Sequence, residues 1–324
     1  MADLYITSPG TYDGNWETYE YIEVNASPVT LRKYIISKAG YNILLDWYGG
    51  QLTLQNCIFD GWWGVNNPSN RTGNLTVRDC AFSTQWGVNA PGNVLLVNNL
   101  FIGGFDIVVN GWGDSMGDSI IAINNTFCGY HGRLFNLWSC SLTLKNNIFS
   151  HNYGEIVNAR VSSFSVRTNL KSGNSSWYSD QEVPTGNLIL ADPCFTSQSS
   201  NVFNHDPYPN GYFLYWYSPA IDAGENEPGN PPYGCLGTTA LGDTPDNVDL
   251  PNTIDLGFHY PFIRFYNIIL QENVRMHESG STFHPPKVEI NDLLLITDKV
   301  IPGFIKISVS PLLFGPLKDL WIGG

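Results

Sequence analysis

Five stretches decide the fold: LQNCIFD (Leu54–Asp60), VRDCAFS (Val77–Ser83), LVNNLFI (Leu96–Ile102), AINNTFC (Ala122–Cys128) and LKNNIFS (Leu144–Ser150). LRKYIIS from Leu31 precedes them and a weaker copy, VRTNLKS from Val166, follows. The sixth residue of each copy is an anchor: Ile36, Phe59, Phe82, Phe101, Phe127, Phe149 and Lys171, spaced 23, 23, 19, 26, 22 and 22 residues apart. In the last copy the apolar residue is Leu170, one place early. A period of this length marks a repeat architecture.

The pattern inside a copy says how the chain runs. Pairs such as Leu52 and Leu54, Leu75 and Val77, Val94 and Leu96, and Leu142 and Leu144 alternate as a strand with one buried face. The anchor lies five residues after the second of each pair, an odd offset, so the phase must slip between two core positions. A corner at Gln55-Asn56, Arg78-Asp79, Val97-Asn98, Ile123-Asn124 and Lys145-Asn146 supplies the slip. Beyond it, Cys57, Cys80, Asn99, Asn125, Asn147 and Asn169 point inward with the anchors. Strand, corner, strand and variable loop, closing every ~22 residues, describe one coil of a parallel β-helix, an all-β solenoid. Stacked ~4.8 Å apart, such coils turn each position into a column. Asn99, Asn125, Asn147 and Asn169 then form an internal asparagine ladder, and Phe59, Phe82, Phe101, Phe127 and Phe149 a phenylalanine pile. Cys57 and Cys80 share the ladder's slot, as a disulfide or as stacked thiols. A leucine-rich repeat has a similar period but needs a helical return arm, and GWWGVNNPSNRTGN is no helix.

Composition sets outer limits. The 324 residues carry 16 basic and 29 acidic side chains, a net charge of -13, which argues against a nucleic-acid partner. No apolar run spans a membrane, and Met1 to Gly10 lacks a signal-peptide pattern. Six cysteines without CxxC spacing give no zinc site; they suit either disulfides in an exported chain or buried thiols.

The two ends carry further motifs. ITSPGTYDGNW (Ile6–Trp16) opens the array. Asp192-Pro-Cys-Phe195, SPAIDAG (Ser218–Gly224), Val248-Asp249 and TIDLGFHYP (Thr253–Pro261) close it. In these elements residues 5–261 resemble the right-handed parallel β-helix repeat proteins of bacterial surfaces and secretions. The resemblance implies an exported or cell-surface right-handed β-helix over 1–261, and it supplies no reaction, because members have mixed functions.

From Ile221 to Asp255 there are seven acids and no Lys or Arg, set among Gly, Pro and Asn. This reads as an irregular acidic cap over the last rung, whose edge would otherwise pair with another chain. Calcium held by Asp222, Glu225, Glu227, Asp249 and Asp255 is one candidate staple, a solvated acidic cap the other. Residues 262–324 read as a linker, at His284-Pro-Pro286, plus a small β extension or the opening of a further module.

Four residues past the anchors an aromatic recurs: Trp63, Trp86, Phe105, His131 beside Tyr130, and Tyr153, extended by Trp112 and Trp138. Facing solvent, this column would suit sugar rings, making polysaccharide or a surface glycan the expected partner. Arg32, Arg78, Lys145 and Arg167 form a broken cationic column. The densest carboxylates are Asp106, Asp114 and Asp118, with His131 and Arg133 one coil on, the one cluster to consider for a polysaccharide lyase or hydrolase. Neither HExxH, a P-loop nor an Asp-Asp dipeptide occurs. The expectation is therefore a non-catalytic binding or structural module; the alternatives are that enzyme and a self-associating subunit of a surface assembly.

Overall fold

The computed structural model describes residues 2–68, 73–104, 109–112, 118–138, 140–160, 163–173, 176–179, 188–195, 212, 214–215, 217–225 and 254–259, and four short strands beyond. The chain divides into two compact units, Met1–Ile263 and Arg264–Gly324. In the second, Arg275–Met276 pairs antiparallel with Val288–Glu289, and Ile305–Ile307 with Leu320–Ile322.

The first unit is a parallel β-solenoid of about seven coils, without a helix among its described residues. Each coil has three faces. The first carries Ile35–Ser37, Leu100–Ile102, Thr126–Cys128, Ile148–Ser150 and Asn169–Lys171. The second carries Ile43–Trp47, Val109–Trp112, Phe135–Trp138 and Glu155–Arg160. In two coils a single bent strand, Ile58–Asn66 or Ala81–Asn89, serves both faces. The third face is a separate eight-stranded sheet through Val29–Arg32, Gly50–Gln55, Gly73–Arg78, Gly92–Val97, Ser119–Ile123, Ser141–Lys145 and Ser163–Arg167, beginning at Gly10–Asp13.

The corner between third and first faces lies where the phase argument puts it. Asn56, Asp79, Asn98, Asn124 and Asn146 all have φ between 53° and 56°, and Lys33 and Thr168 share their column at 56° and 46°. Asn and Asp tolerate this left-handed backbone better than branched residues do. From Lys33 to Asn146 each corner N–H bonds to the coil above, as Asn98 N does to Ile123 O at 3.0 Å.

Beyond the corner the next side chain turns inward. Asn99 Nδ2 donates to Asn125 Oδ1 at 2.9 Å, Asn125 to Asn147 at 3.0 Å and Asn147 to Asn169 at 2.9 Å. Each Oδ1 also receives a backbone N–H from the coil below, at 2.9 Å in all three cases. The remaining amide proton goes to a carbonyl, such as Ala122 O from Asn147 at 2.8 Å. A fully buried polar column is thus satisfied, the condition for tolerating it. Cys57 and Cys80 continue the column as free thiols, and Cys128, Cys140 and Cys194 are free too. The alternative of a Cys57–Cys80 disulfide is therefore not realised; Cys57 N instead approaches Cys80 Sγ at 3.3 Å.

Two residues on, the five anchor phenylalanines are wholly buried and stacked. Successive centroids are 4.5, 4.7, 5.1 and 5.2 Å apart, with ring planes within 15° of parallel. Each contributes about 1.5–3 kcal/mol by burial and each contact about 0.5–1.5 kcal/mol more.

The outer side of the first face is apolar as well: Ala81, Leu100, Ile102, Cys128, Ile148 and Leu170 are buried there. What covers them is the C-terminal part of this unit, through Phe195, Tyr212, Leu214, Ala220, Leu256 and Phe258. Residues 218–225 and 254–259 run along the solenoid's flank. Gly224 and Ile254 form an antiparallel bridge, and Leu256 N donates to Ala220 O. The corner asparagines hold this cover. Asn98 Nδ2 donates to His259 O at 2.7 Å, Asn124 Nδ2 to Asp255 O at 2.9 Å and Asn146 Nδ2 to Glu225 O at 3.0 Å. Most of the stretch expected to cap the last rung, 226–253, lies outside the described residues; SPAIDAG and IDLGFH, which flank it, seal a side of the solenoid.

Candidate functional site

At the bend from first to second face, Trp63 and Trp86 sit in register on the continuous strands. Their rings are parallel, 4.6 Å apart with 3° between planes, and both are partly exposed. Room inside the bend comes from Gly64, where a Cβ would lie 2.5 Å from Gly87 O. Because the indoles cover each other's faces, they offer solvent their edges, an apolar strip two coils wide. Tyr41, 81% exposed, packs edge-on against Trp62 at 4.0 Å. Further along, His131 and Tyr153 stack at 4.8 Å and 17°, and Tyr153 is 63% exposed.

Not every expected aromatic joins this surface. Tyr130 is fully buried; its ring lies against Gly104, where a Cβ would come within 2.5 Å, and its hydroxyl donates to Thr84 O. It is a core residue and is corrected as a contact for ligand. Phe105 lies outside the described residues. Trp112 is placed by its backbone alone, in register with Trp138, which is 43% exposed.

The second face carries a polar column that the anchor-based reading missed. Tyr5, Glu23, Asp46, Asn66, Asn89, Asn110, Asn136 and Asn158 pair coil to coil in register. Asn66 Nδ2 donates to Asp46 Oδ1 at 2.7 Å and Asn89 Nδ2 to Asn66 Oδ1 at 2.9 Å. Tyr21 donates its hydroxyl between Asp46, at 2.9 Å, and Glu23, at 3.1 Å. Burial, and then these carboxylate acceptors, raise the Tyr21 pKa strongly. The signal was present in sequence: GVNN, GVNA, VVNG, LFNL and IVNA (64–67, 87–90, 108–111, 134–137, 156–159) repeat an apolar residue followed by Asn.

The expected acidic cluster does not come together among its described members. Asp118, buried, stands where the second face turns into the third, its carbonyl accepting from Ser141 N at 2.9 Å. His131 and Arg133, both exposed, stand in the turn before Phe135–Trp138. That four-residue strand, about 13 Å long, separates the two turns. Arg133 instead pairs with Glu155 at 3.3 Å, an exposed contact of small worth. Asp106 and Asp114 lie outside the described residues.

Cations of the corner column face carboxylates of the chain itself. Arg78 Nε meets Asp79 at 3.0 Å, buried Lys145 lies 3.9 Å from Glu225, and Arg32 lies 4.0 Å from Asp13. Of the residues expected around calcium, Asp255 is buried and accepts from Asp222 N at 2.8 Å, and Glu225 accepts from the Thr168 hydroxyl. No metal-binding group of three His, Cys, Asp or Glu forms among the described residues; Glu227 and Asp249 fall outside them.

By its fold the chain is a parallel β-solenoid, flanked by a lateral C-terminal cover. No protein-family model, curated protein or solved structure matches it.

Proposed function

We propose that the chain is a non-catalytic binding module of the exported or cell-surface kind, whose partner is a polysaccharide or surface glycan. The observation that carries this reading is the outward aromatic strip: Trp63 on Trp86, Tyr41 on Trp62, and His131 under Tyr153. Partly exposed ring edges in regular order offer apolar contact to sugars, and the neighbouring amides suit their hydroxyls. The bacterial β-helix resemblance of SPAIDAG and DLGFHYP supports the exported setting. Binding without bond cleavage fits the wide separation of Asp118 from His131 and Arg133, which one sugar linkage could not reach together.

The test is retention on a glycan array. Trp63→Ala and Trp86→Ala should abolish retention of whichever glycans the unaltered chain holds, with the unfolding midpoint monitored in parallel. Retention unchanged in both variants removes the reading. New ultraviolet absorbance from unsaturated product, on incubation with pectate or alginate, would instead establish a lyase.

A further inference from the structure

Where the second face turns into the third, three coils leave an open groove of about 470 Å³. Its floor is a column of glycines, Gly50, Gly73 and Gly92, in register from coil to coil. Coil packing admits nothing larger there. A Cβ on Gly73 would lie 2.4 Å from Gly50 O, and one on Gly92 the same distance from Gly73 O. The result is a trough of bare backbone.

Beside it stand exposed amides, Gln51, Asn74 and Asn93, also in register. Asn93 Nδ2 donates to Asn74 Oδ1 at 3.0 Å, and Asn93 Oδ1 accepts the N–H and hydroxyl of Ser119 at 3.0 and 2.9 Å. These bonds fix the orientation of both asparagines. They leave the Gln51 amide and Asn74 Nδ2 bonded to no described residue. The far end is Asp118, in the coil beyond Gly92. One coil further the same turn brings in exposed Trp138.

The chemistry of this lining is selective. An amide offers both donors and an acceptor, which matches a hydroxyl, itself both donor and acceptor. Among the described residues no Lys or Arg lines the groove, and the one ionisable side chain of that lining is Asp118. An acidic sugar would bring a second negative charge toward that carboxylate, a costly pairing at an interface. The amide wall repeats at the coil spacing of ~4.8 Å, so the complementary ligand is a chain rather than a single ring.

We infer that this groove binds an uncharged oligosaccharide lying parallel to the solenoid axis, its hydroxyls on the Gln51–Asn74–Asn93 wall. The inference rests on the glycan-binding reading and adds to it a second contact surface and the exclusion of uronates.

Titration calorimetry with cellohexaose, xylohexaose, mannohexaose and hexagalacturonate tests it. At least one neutral hexaose should bind and hexagalacturonate should not. Asn74→Ala and Asn93→Ala, both at exposed positions, should each weaken binding by about tenfold, one net hydrogen bond's worth. The Asn74 side-chain amide signals should shift on binding in NMR spectra of the unaltered chain. If neutral binding is lost in Trp63→Ala but unchanged in both asparagine variants, the groove assignment fails and the glycan reading survives. Preference for hexagalacturonate overturns the charge argument, and silence toward all four ligands overturns both proposals.

Discussion

Asn146 and Glu225, 79 residues apart, clasp each other in both directions. Asn146 Nδ2 donates to Glu225 O and Asn146 Oδ1 accepts from Glu225 N, each at 3.0 Å. A side-chain amide thereby acts as a one-residue strand edge for the lateral cover, while its own left-handed backbone turns the coil. Asn146→Gly keeps that backbone conformation and deletes the clasp. The expected outcome is amide exchange at Glu225 and Gly257 faster by about tenfold or more, two net hydrogen bonds at most, with the ladder amides of Asn125 and Asn147 unchanged. Hydrogen exchange read residue by residue would show it. Uniform acceleration through the coils would mean that the cover and the solenoid open as one body.

Inside the coil, Asn125→Ala should be far more damaging than its small change in volume suggests. It removes the acceptor for Asn99 N and Nδ2 and the donor to Asn147 Oδ1, all fully buried. Groups stranded this way cost about 1–3 kcal/mol each, so urea denaturation should register a loss of several kcal/mol. A loss under 1 kcal/mol would mean that water enters the column and replaces the amide.

Thiol chemistry offers a check that needs no substitution. Burial pushes Cys128 up to about 12 and Cys140 up to about 11, and it raises Cys80 as well. Only a thiolate reacts quickly. Slight burial and Asp192 raise Cys194 too, but it alone of these thiols is partly exposed, so in the folded chain at neutral pH it should be alkylated before the buried Cys57, Cys80, Cys128 and Cys140. Peptide mass spectrometry before and after unfolding would read the order. Labelling of Cys128 as fast as Cys194 would show that the cover lifts from the first face.

Asp60 couples stability to pH. Partial burial raises its pKa above the ordinary 3.8, with the Ser37 hydroxyl opposing. A carboxyl with a raised folded pKa binds its proton more tightly in the folded chain. Its contribution is complete below the unfolded value and is lost as pH rises through the folded one. Asp60→Asn should therefore raise the urea midpoint at neutral pH relative to the unaltered chain. In acid below 3.8 the difference should vanish. An Asp60→Asn chain that is less stable at neutral pH would show that the ionised carboxylate is held by favourable partners instead.

What the sequence disclosed and what it concealed have physical reasons. The period, corner, amide ladder and ring pile were readable because each depends on residues within one short motif, repeated. The second face was concealed because its strands are rich in Gly, Asn and Trp, residues that signal turns. Val65-Asn66, Val88-Asn89, Val109-Asn110, Phe135-Asn136 and Val157-Asn158 nevertheless pair as strands, since neighbouring coils supply their hydrogen bonds. Tyr130 looked outward beside His131; only the missing side chain at Gly104 gives its ring a place within. The lateral docking of IDLGFH had no local signature, because its partners lie more than a hundred residues upstream: Asn98 is 161 residues from His259 and Asn124 is 131 from Asp255.

Those separations impose an order on biogenesis. As the polypeptide emerges from the ribosome, each new coil can settle on the previous one using contacts already made. The oily flank formed by Leu100, Ile102 and Ile148 gets most of its cover late, from Phe195 onward, and the cover is complete only once Leu256 and Phe258 have been translated. Nascent chains stalled before Phe195 should be sticky and depend on chaperones, and the flank closes in stages as the cover is made.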